Sequence, residues 1–450
     1  MRNSSDTEQK NENLSGDTMR LTIPDHDKKK LAAIIQYDRT HGYAQKEPLD
    51  WNISDFPVDD AGQTICSPAT LSQLENGVVI KDDDIYEGLL HKLGTAYNFK
   101  DDLTEKIGTL SSRLLRATDL GDPAGIDAAI AVYREFLSPF ADCAIEALLL
   151  DALGLIQKAY IDPMYFAGSA EKNTVDRLYA LFPVIEDDLQ HTLQSILYAH
   201  EYEMAAPAQL PDIAKHLKLK DSPSVTAQLA YVHFLITSRR YYEVPVLLES
   251  LSRRSISPLR RLDVLNAQAF FAADTGASNL QTAVTALSDA LETTRATLPD
   301  KNRASLDYNL GLYYYQLHAP QQALRAWSRN LHTPSYHRIR SANHILMCST
   351  MHGTEIPEET FSAADDLHVL SGSYKEVYET IFRYYRWKKD GAEARRLEAM
   401  IQNEMRKLFL LVNDEALYEV FLKELTDLTR QTGHRSLLKN YNRLRRRSGG

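Results

Sequence analysis

The chain reads as an all-α protein, with a small N-terminal unit followed by an α-solenoid of stacked helical pairs. Three observations lead there. Strand signals are nearly absent. From about Asp101 onward, helical patterns of roughly a dozen to twenty residues follow one another, separated by short Pro, Gly, Ser or Asp punctuation. Ahead of them stands one short, sharply bounded helix within Ile65 to Gly77, I-C-S-P-A-T-L-S-Q-L-E-N-G.

In that segment Ser67 is placed to cap a helix, Pro68 fits its first position, and Gly77 after Asn76 supplies a left-handed stop. Leu71 and Leu74 share one face while Ala69, Thr70 and Gln73 point another way, the spacing of an anchored helix with a small polar reading face. The string resembles the third helix of the Cro/repressor-type (XRE) helix-turn-helix family, whose pattern there is small-x-x-T-[LI]-S-x-[LI]-E-N-G. Ile34, Tyr37, Gly42 and Gln45 fall where that family places its first-helix apolar residues, turn glycine and second-helix glutamine, and Asp82 to Gly94 would follow as the fourth helix. Asp38 stands where the family has an arginine, with Arg39 one position off; Pro48 replaces an apolar residue; and an insertion from Asp50 to Thr64, with Trp51 and Phe56, separates the second and third helices.

The resemblance implies double-stranded DNA as a partner, with base-contacting positions on Pro68, Ala69, Thr70 and Gln73 and supporting contacts from Gln45, Ser67 and Asn76. Of the base-contacting four, only Thr70 and Gln73 carry hydrogen-bonding groups that reach base edges. Between Asp25 and Lys100 eight basic residues face thirteen acidic ones, so phosphate neutralisation would need local clustering or dimer avidity.

The remainder divides into candidate helices near 101–117, 122–137, 141–159, 171–181, 183–203, 223–237, 242–253, 258–273, 278–297, 301–317, 320–331, 336–350, 357–371, 374–388, 391–411, 415–431 and 433–447. So even a series suggests stacked two-helix units. In one pair, Leu310-Gly311, Tyr314, Ala323, Trp327 and Pro334 resemble the tetratricopeptide (TPR) order of L-G, aromatic, A, aromatic and P. Small residues let the helices touch, aromatics fill the space between repeats, and Ala319-Pro320 ends the first helix before the second. Weaker echoes occur at Leu229-Ala230 with Tyr241-Tyr242, from Ala267 to Leu291, and from Tyr374 to Met405.

A TPR stack implies a groove lined by the first helix of each pair, binding an extended peptide or partner segment. Groove positions on the 301–317 helix are Ser305, Tyr308, Asn309, Leu312, Tyr315 and Gln316, with Asn266 and Asn343 as further amides able to meet a ligand's peptide bond as donor and acceptor. Tyr313-Tyr314-Tyr315 cannot all be core, because consecutive helix residues diverge by about 100°. The expected organisation is a disordered tail (1–24), a helix-turn-helix domain (25–100, with the insertion near 50–64) and a TPR-like sensor domain (101–447).

The 450 residues are 44% hydrophobic and 25% charged, with a net charge of −10, enough material for a sizeable core and a soluble surface. Three cysteines, Cys66, Cys143 and Cys348, lack paired spacing, so no disulfide framework or zinc site is expected. Met1 to Pro24 has no apolar signal region and no stretch reads as a membrane span, so a cytoplasmic location is expected. There is no G-x-S-x-G, no G-x-x-x-x-G-K-[ST] and no H-E-x-x-H, so neither catalytic residues nor a metal or cofactor is expected. The basic end, from Arg430 to Arg447, reads as a solvated terminal helix face or a surface for DNA or an acidic partner.

The combination resembles the Gram-positive regulators that sense peptide pheromones, the group containing Rgg, PlcR and PrgX. What this implies is a homodimeric transcription regulator whose groove binds a short peptide and so changes DNA binding. The alternative is a non-enzymatic TPR adaptor for a protein partner, with a degenerate helix-turn-helix domain.

Overall fold

A computed structural model describes residues 22–42, 56–59, 61–100, 103–165, 167, 172–204, 207–370, 372–405 and 415–434. Among them the secondary structure is helical, apart from two isolated bridges, Val58 with Thr64 and Ala96 with Cys143. Gln45, Pro48, Trp51, most of the tail and the basic residues beyond His434 lie outside the described set. The chain divides into two compact units, residues 1–102 with 142–145, and residues 103–141 with 146–450.

The first unit holds α1 (Asp25–His41), α2 (Pro68–Glu75) and α3 (Asp83–Lys92). Its core is built from Leu31, Ile34 and Ile35 of α1, Leu71 and Leu74 of α2, Tyr86, Leu89 and Leu90 of α3, and Phe56. Leu71 and Leu74 are the two apolar positions expected to anchor the short helix. Arg39 ties α1 to α2 through a two-pronged pair with Glu75, Nε to Oε1 at 2.6 Å and Nη2 to Oε2 at 2.9 Å. Arg39, one position after Asp38, thus supplies an ionic tie between α1 and α2. Lys28 ties α1 to α3, with Asp83 at 2.5 Å and the Lys81 carbonyl at 3.2 Å.

The second unit begins with α4 (Leu103–Leu120), α5 (Pro123–Leu137), α6 (Ala144–Ile161), α7 (Lys172–Ala180), α8 (Asp187–Met204) and α9 (Leu210–His216). It continues with α10 (Val225–Thr237), α11 (Val244–Arg253), α12 (Pro258–Asp274), α13 (Leu280–Thr294), α14 (Asp300–Gln316), α15 (Pro320–Asn330) and α16 (Tyr336–His352). The end is formed by α17 (Glu359–Ser362), α18 (Gly372–Lys389), α19 (Ala394–Met400) and α20 (Glu415–Thr432). Helices α8, α10, α12, α14 and α16 pack successively against one another as an inner row, and α11, α13 and α15 stand behind it as the second members of helical pairs. This is the α-solenoid architecture expected from the even punctuation.

Three local differences have physical causes. Helix α9 is only seven residues long with Pro211 in its first turn, too short for a periodic signal. The expected 357–371 helix is a four-residue α17 followed by a 3₁₀ segment, Ala363–Val369, whose tighter winding accompanies burial of Phe361, Ala363 and Leu367. The expected 391–411 helix ends as α at Met400 and widens into a π turn, Ile401–Met405.

Helices α14 and α15 approach each other closely where Gly311 meets Trp327. A Cβ on Gly311 would stand 2.1 Å from Trp327 Nε1 and 2.5 Å from its Cδ1. Trp327 is almost wholly buried and its indole N–H donates to the Tyr308 carbonyl at 3.1 Å. Behind it Asn330 donates to the Ala304 carbonyl and to Ser341 Oγ, both at 2.9 Å, linking α15 to α14 and α16. Asp307, also buried, accepts two 2.7 Å bonds from Arg295 just after α13. The Gly311→Ala variant forces the indole to move in a filled core, and should lose about 1–3 kcal/mol of stability in urea unfolding followed by tryptophan emission.

Candidate ligand groove and nucleic-acid interface

A cavity of about 590 Å³ opens on the inner row of the second unit, and each helix supplies residues at helical spacing. From α8 come Ser195, Tyr198, Ala199 and Tyr202; from α10, Thr226, Leu229, Ala230 and His233. Helix α12 adds Asp263, Asn266, Ala267 and Phe270, α14 adds Tyr308, Asn309, Leu312 and Tyr313, and α16 adds Arg340. Residues three and four apart share one helix face, so a row of parallel faces becomes a continuous wall.

The wall carries a polar row. Asn309 Nδ2 donates to Asn266 Oδ1 at 3.3 Å, and the Tyr313 hydroxyl donates to the same oxygen at 3.0 Å. This orientation leaves Asn266 with an N–H₂ and Asn309 with a carbonyl that have no partner among the described residues. A donor and an acceptor are thereby presented side by side, the complement of a peptide bond. Beside them the surface is aromatic. His233 stacks on Phe270 with centroids 5.4 Å apart, meets Tyr202 edge-on at 4.7 Å, and contacts the Tyr198 hydroxyl at 3.2 Å. Burial lowers its pKa to about 4, so the ring is neutral at physiological pH.

Arg340 lies over the Tyr308 ring, its Cζ 4.4 Å from the centroid. Burial works against its charge, but Tyr308, Tyr336, Tyr378 and Glu203 together hold its proton affinity well above the ordinary arginine value. Arg260 at the cavity edge is already engaged: it pairs with Asp263 at 2.7 Å and donates to the backbone carbonyls of Thr118 and Asp119. That interaction joins α4 to α12.

A second cavity of about 310 Å³ shares Ser195, Ala199 and Thr226 with the first and extends past Ser305, Lys301, Tyr165, Tyr336 and His337. Lys301 donates to the Ala159 carbonyl and, at 2.9 Å, to that of Asp162, and stands 5.3 Å from the centre of the Tyr165 ring. Burial lowers the Lys301 pKa to about 8, with Asp162 opposing.

Of the expected peptide contacts, Asn266, Tyr308, Asn309 and Leu312 meet on the large cavity, and Ser305 lines the smaller one. Tyr315, Gln316 and Asn343 line neither. Tyr315 packs against Trp327 and His352, Gln316 is exposed at the end of α14, and Asn343 is buried with its amide on Met347 Sδ at 3.3 Å. The cavity residues that the motifs did not mark are those on α8, with His233 on α10 and Arg340 on α16. His233, Tyr202 and Arg340 lie on helices with no strong repeat signature, and their convergence depends on how the row stacks.

In the first unit the short helix has the expected caps. Ser67 Oγ accepts from the Thr70 N–H at 3.0 Å and Gly77 has φ of 81°. Ser67, Pro68, Ala69, Gln73 and Asn76 are exposed and Thr70 is half-exposed. Two of these polar groups are spoken for locally: Thr70 Oγ1 lies 2.8 Å from Ser67 Oγ, and Asn76 Nδ2 donates to the Ser72 carbonyl at 2.7 Å. Much of the unit's positive charge is also turned inward. Lys28, Lys30 and Arg39 pair with carboxylates, and Lys92 donates to the Val58 carbonyl and lies 5.7 Å from the centre of the Phe56 ring.

Among the described residues no group of three or more His, Cys, Asp or Glu side chains is placed to hold a metal ion, and no helix is long and apolar enough to cross a membrane. No family model matches the chain, and no curated protein matches it. Among solved structures, the chain is similar to the apo form of the quorum sensor NprR from B. thuringiensis, at 16% identity and a TM-score of 0.49, over 78% of this chain and 100% of that one.

The low Lys301 pKa has a consequence for stability. The folded state releases this proton near pH 8, whereas the unfolded chain holds it until about pH 10.5. Between those values the unfolded state binds more protons, so this residue's contribution to stability rises with pH across that window. The stability of wild type relative to Lys301→Met should therefore increase from pH 7 to pH 9.5, read as the difference in urea midpoints.

Proposed function

We propose that the chain is a non-enzymatic, peptide-responsive DNA-binding transcription regulator: the second unit binds an extended peptide along its inner row, and the first lays α2 in the DNA major groove. The observation that carries this reading is the free donor and acceptor of Asn266 and Asn309 beside an aromatic wall, a surface suited to main-chain amides irrespective of side chain. The exposed Pro68, Ala69 and Gln73 on a well-capped helix support the DNA contact, with Thr70 Oγ1 exchanging its bond to Ser67 for a base edge. Because few cations among the described residues of this unit are free of internal partners, affinity for DNA rests on a homodimer holding two half-sites at once. For the peptide to act as a signal it must bind one arrangement of the dimer more tightly than the other.

The inward-turned charge favours a second reading, an adaptor whose N-terminal unit no longer meets DNA. The two separate on DNA flanking the protein's own gene, titrated across a salt series. A regulator binds it specifically, with affinity falling as salt rises, and loses specificity in the Thr70→Ala/Gln73→Ala variant. Absence of binding at low salt, with and without cell extract, leaves the adaptor reading. On the groove side, the Asn266→Ala/Asn309→Ala variant should retain about tenfold less of a random heptapeptide library than wild type; equal retention would remove the amide row from the ligand site.

A further inference from the structure

The smaller cavity contains polar groups that neither the fold nor the amide row uses. His337 is buried, and its Nδ1 has no hydrogen-bond partner among the described residues. The Tyr165 hydroxyl, on the same wall, is likewise buried and unpartnered. Buried polar atoms without partners are rare in native proteins, because each forfeits its hydration for nothing. These two differ from the other such atoms in belonging to residues that line a cavity, where a partner from outside can reach them.

The charges around this wall set what that partner is. Lys301, Ser305 and Tyr308 follow one another at i, i+4 and i+7 on α14, and Tyr336, His337 and Arg340 share a face of α16. Lys301 lines the smaller cavity and Arg340 the adjoining one, and both cations lower the proton affinity of His337, after burial itself. The Lys301 ammonium is held by two carbonyls rather than by a carboxylate hydrogen bond. Acidic groups in reach are Asp162 beside Lys301 and Glu203 beside Arg340. A neutral imidazole, a phenol, an ammonium and a planar guanidinium form a donor-rich end to a groove whose middle is neutral.

We propose that this end of the groove is a carboxylate subsite, where a carboxylate of the bound peptide lies between Arg340 and Lys301 and accepts from His337 and Tyr165. The inference rests on the peptide reading above and adds the ligand's polarity: its acidic group sits at the α14–α16 end, and its main chain runs from there along Asn309 and Asn266. Arg340 is pre-ordered by its position over the Tyr308 ring and by hydrogen bonds to the Tyr308 and Tyr336 hydroxyls, and its remaining N–H groups are the ones left for a carboxylate oxygen. Tyr165 and His337 have their hydration restored as hydrogen bonds only when the subsite is filled.

The test uses the full-length protein and three heptapeptide libraries that share neutral side chains. One has a free C-terminal carboxylate, one is C-terminally amidated, and one is amidated but carries a single Asp or Glu. Affinity selection read by mass spectrometry should enrich the free-acid or the Asp/Glu library about tenfold over the neutral amidated one, and which of the two is enriched identifies the carboxylate's source. The preference should vanish in Arg340→Gln and in Lys301→Met and be partly recovered in Arg340→Lys, with circular dichroism confirming that each variant folds. Equal retention of all three libraries, still dependent on Asn266 and Asn309, would overturn the carboxylate subsite and leave the peptide groove standing. Retention of none would overturn both.

Discussion

The spacing of α14 and α15, set where the Trp327 indole closes over Gly311, is the constraint on which the groove depends. With any larger residue at 311 the indole could not lie where it does, and its N–H could not reach the Tyr308 carbonyl. That bond is made to the backbone of the residue whose ring lies against Arg340. A packing requirement on the outer side of the pair is thus transmitted through one helix to the inner wall. Asn330 extends the same lock to α16 by bonding both Ala304 and Ser341, so α14, α15 and α16 have a single register relative to one another. Core packing is dense enough that such a register does not drift.

Within this frame the groove divides into chemically different zones. Its middle is aromatic: burial keeps His233 neutral and its ring packs like another apolar face, while Arg260 and Asp263 pair with each other at the edge. Its amide row is pre-oriented: Tyr313 and Asn309 both donate to Asn266 Oδ1, which selects the side-chain rotation that presents the remaining donor and acceptor. Its α14–α16 end concentrates positive charge, at the cost of a lysine whose proton is weakened by burial and an imidazole whose Nδ1 has no partner among the described residues. Such costs are what the proposed carboxylate would offset.

The first unit shows the opposite use of charge. Arg39, Lys28 and Lys92 spend their positive ends on Glu75, on Asp83 and on the Val58 carbonyl, stitching three short helices around a core too small to rely on apolar burial alone. Ion pairs of this half-buried kind specify how helices meet, and they withdraw those cations from any outside phosphate. The exposed face of α2 is therefore small, polar and nearly uncharged.

Much of the architecture was legible before any coordinates, because it follows from local chemistry. Ser67, Pro68 and Gly77 delimit α2 through capping, a fixed φ and a left-handed stop; Gly311, Ala323 and Trp327 mark a close helix pair; and periodic apolar residues with short breaks place most helices of the second unit. Local signals failed where a segment spanned only about two helical turns, as at α9, or where packing tightened the winding, as after α17. The site was legible only in part. Asn266, Tyr308, Asn309 and Leu312 could be named from helix faces, whereas Tyr315 and Asn343 share those faces by sequence yet are taken up by packing against Trp327, His352 and Met347. Arg340, His337, Tyr165 and His233 carry no motif, and they matter because helices distant in sequence stack side by side. Sequence by itself determined most of the helices, the caps of α2 and the close contact of Gly311 with Trp327, since these depend on local chemistry; only the tertiary structure decided which polar groups face a common cavity, since that depends on the rotation of each helix in the row.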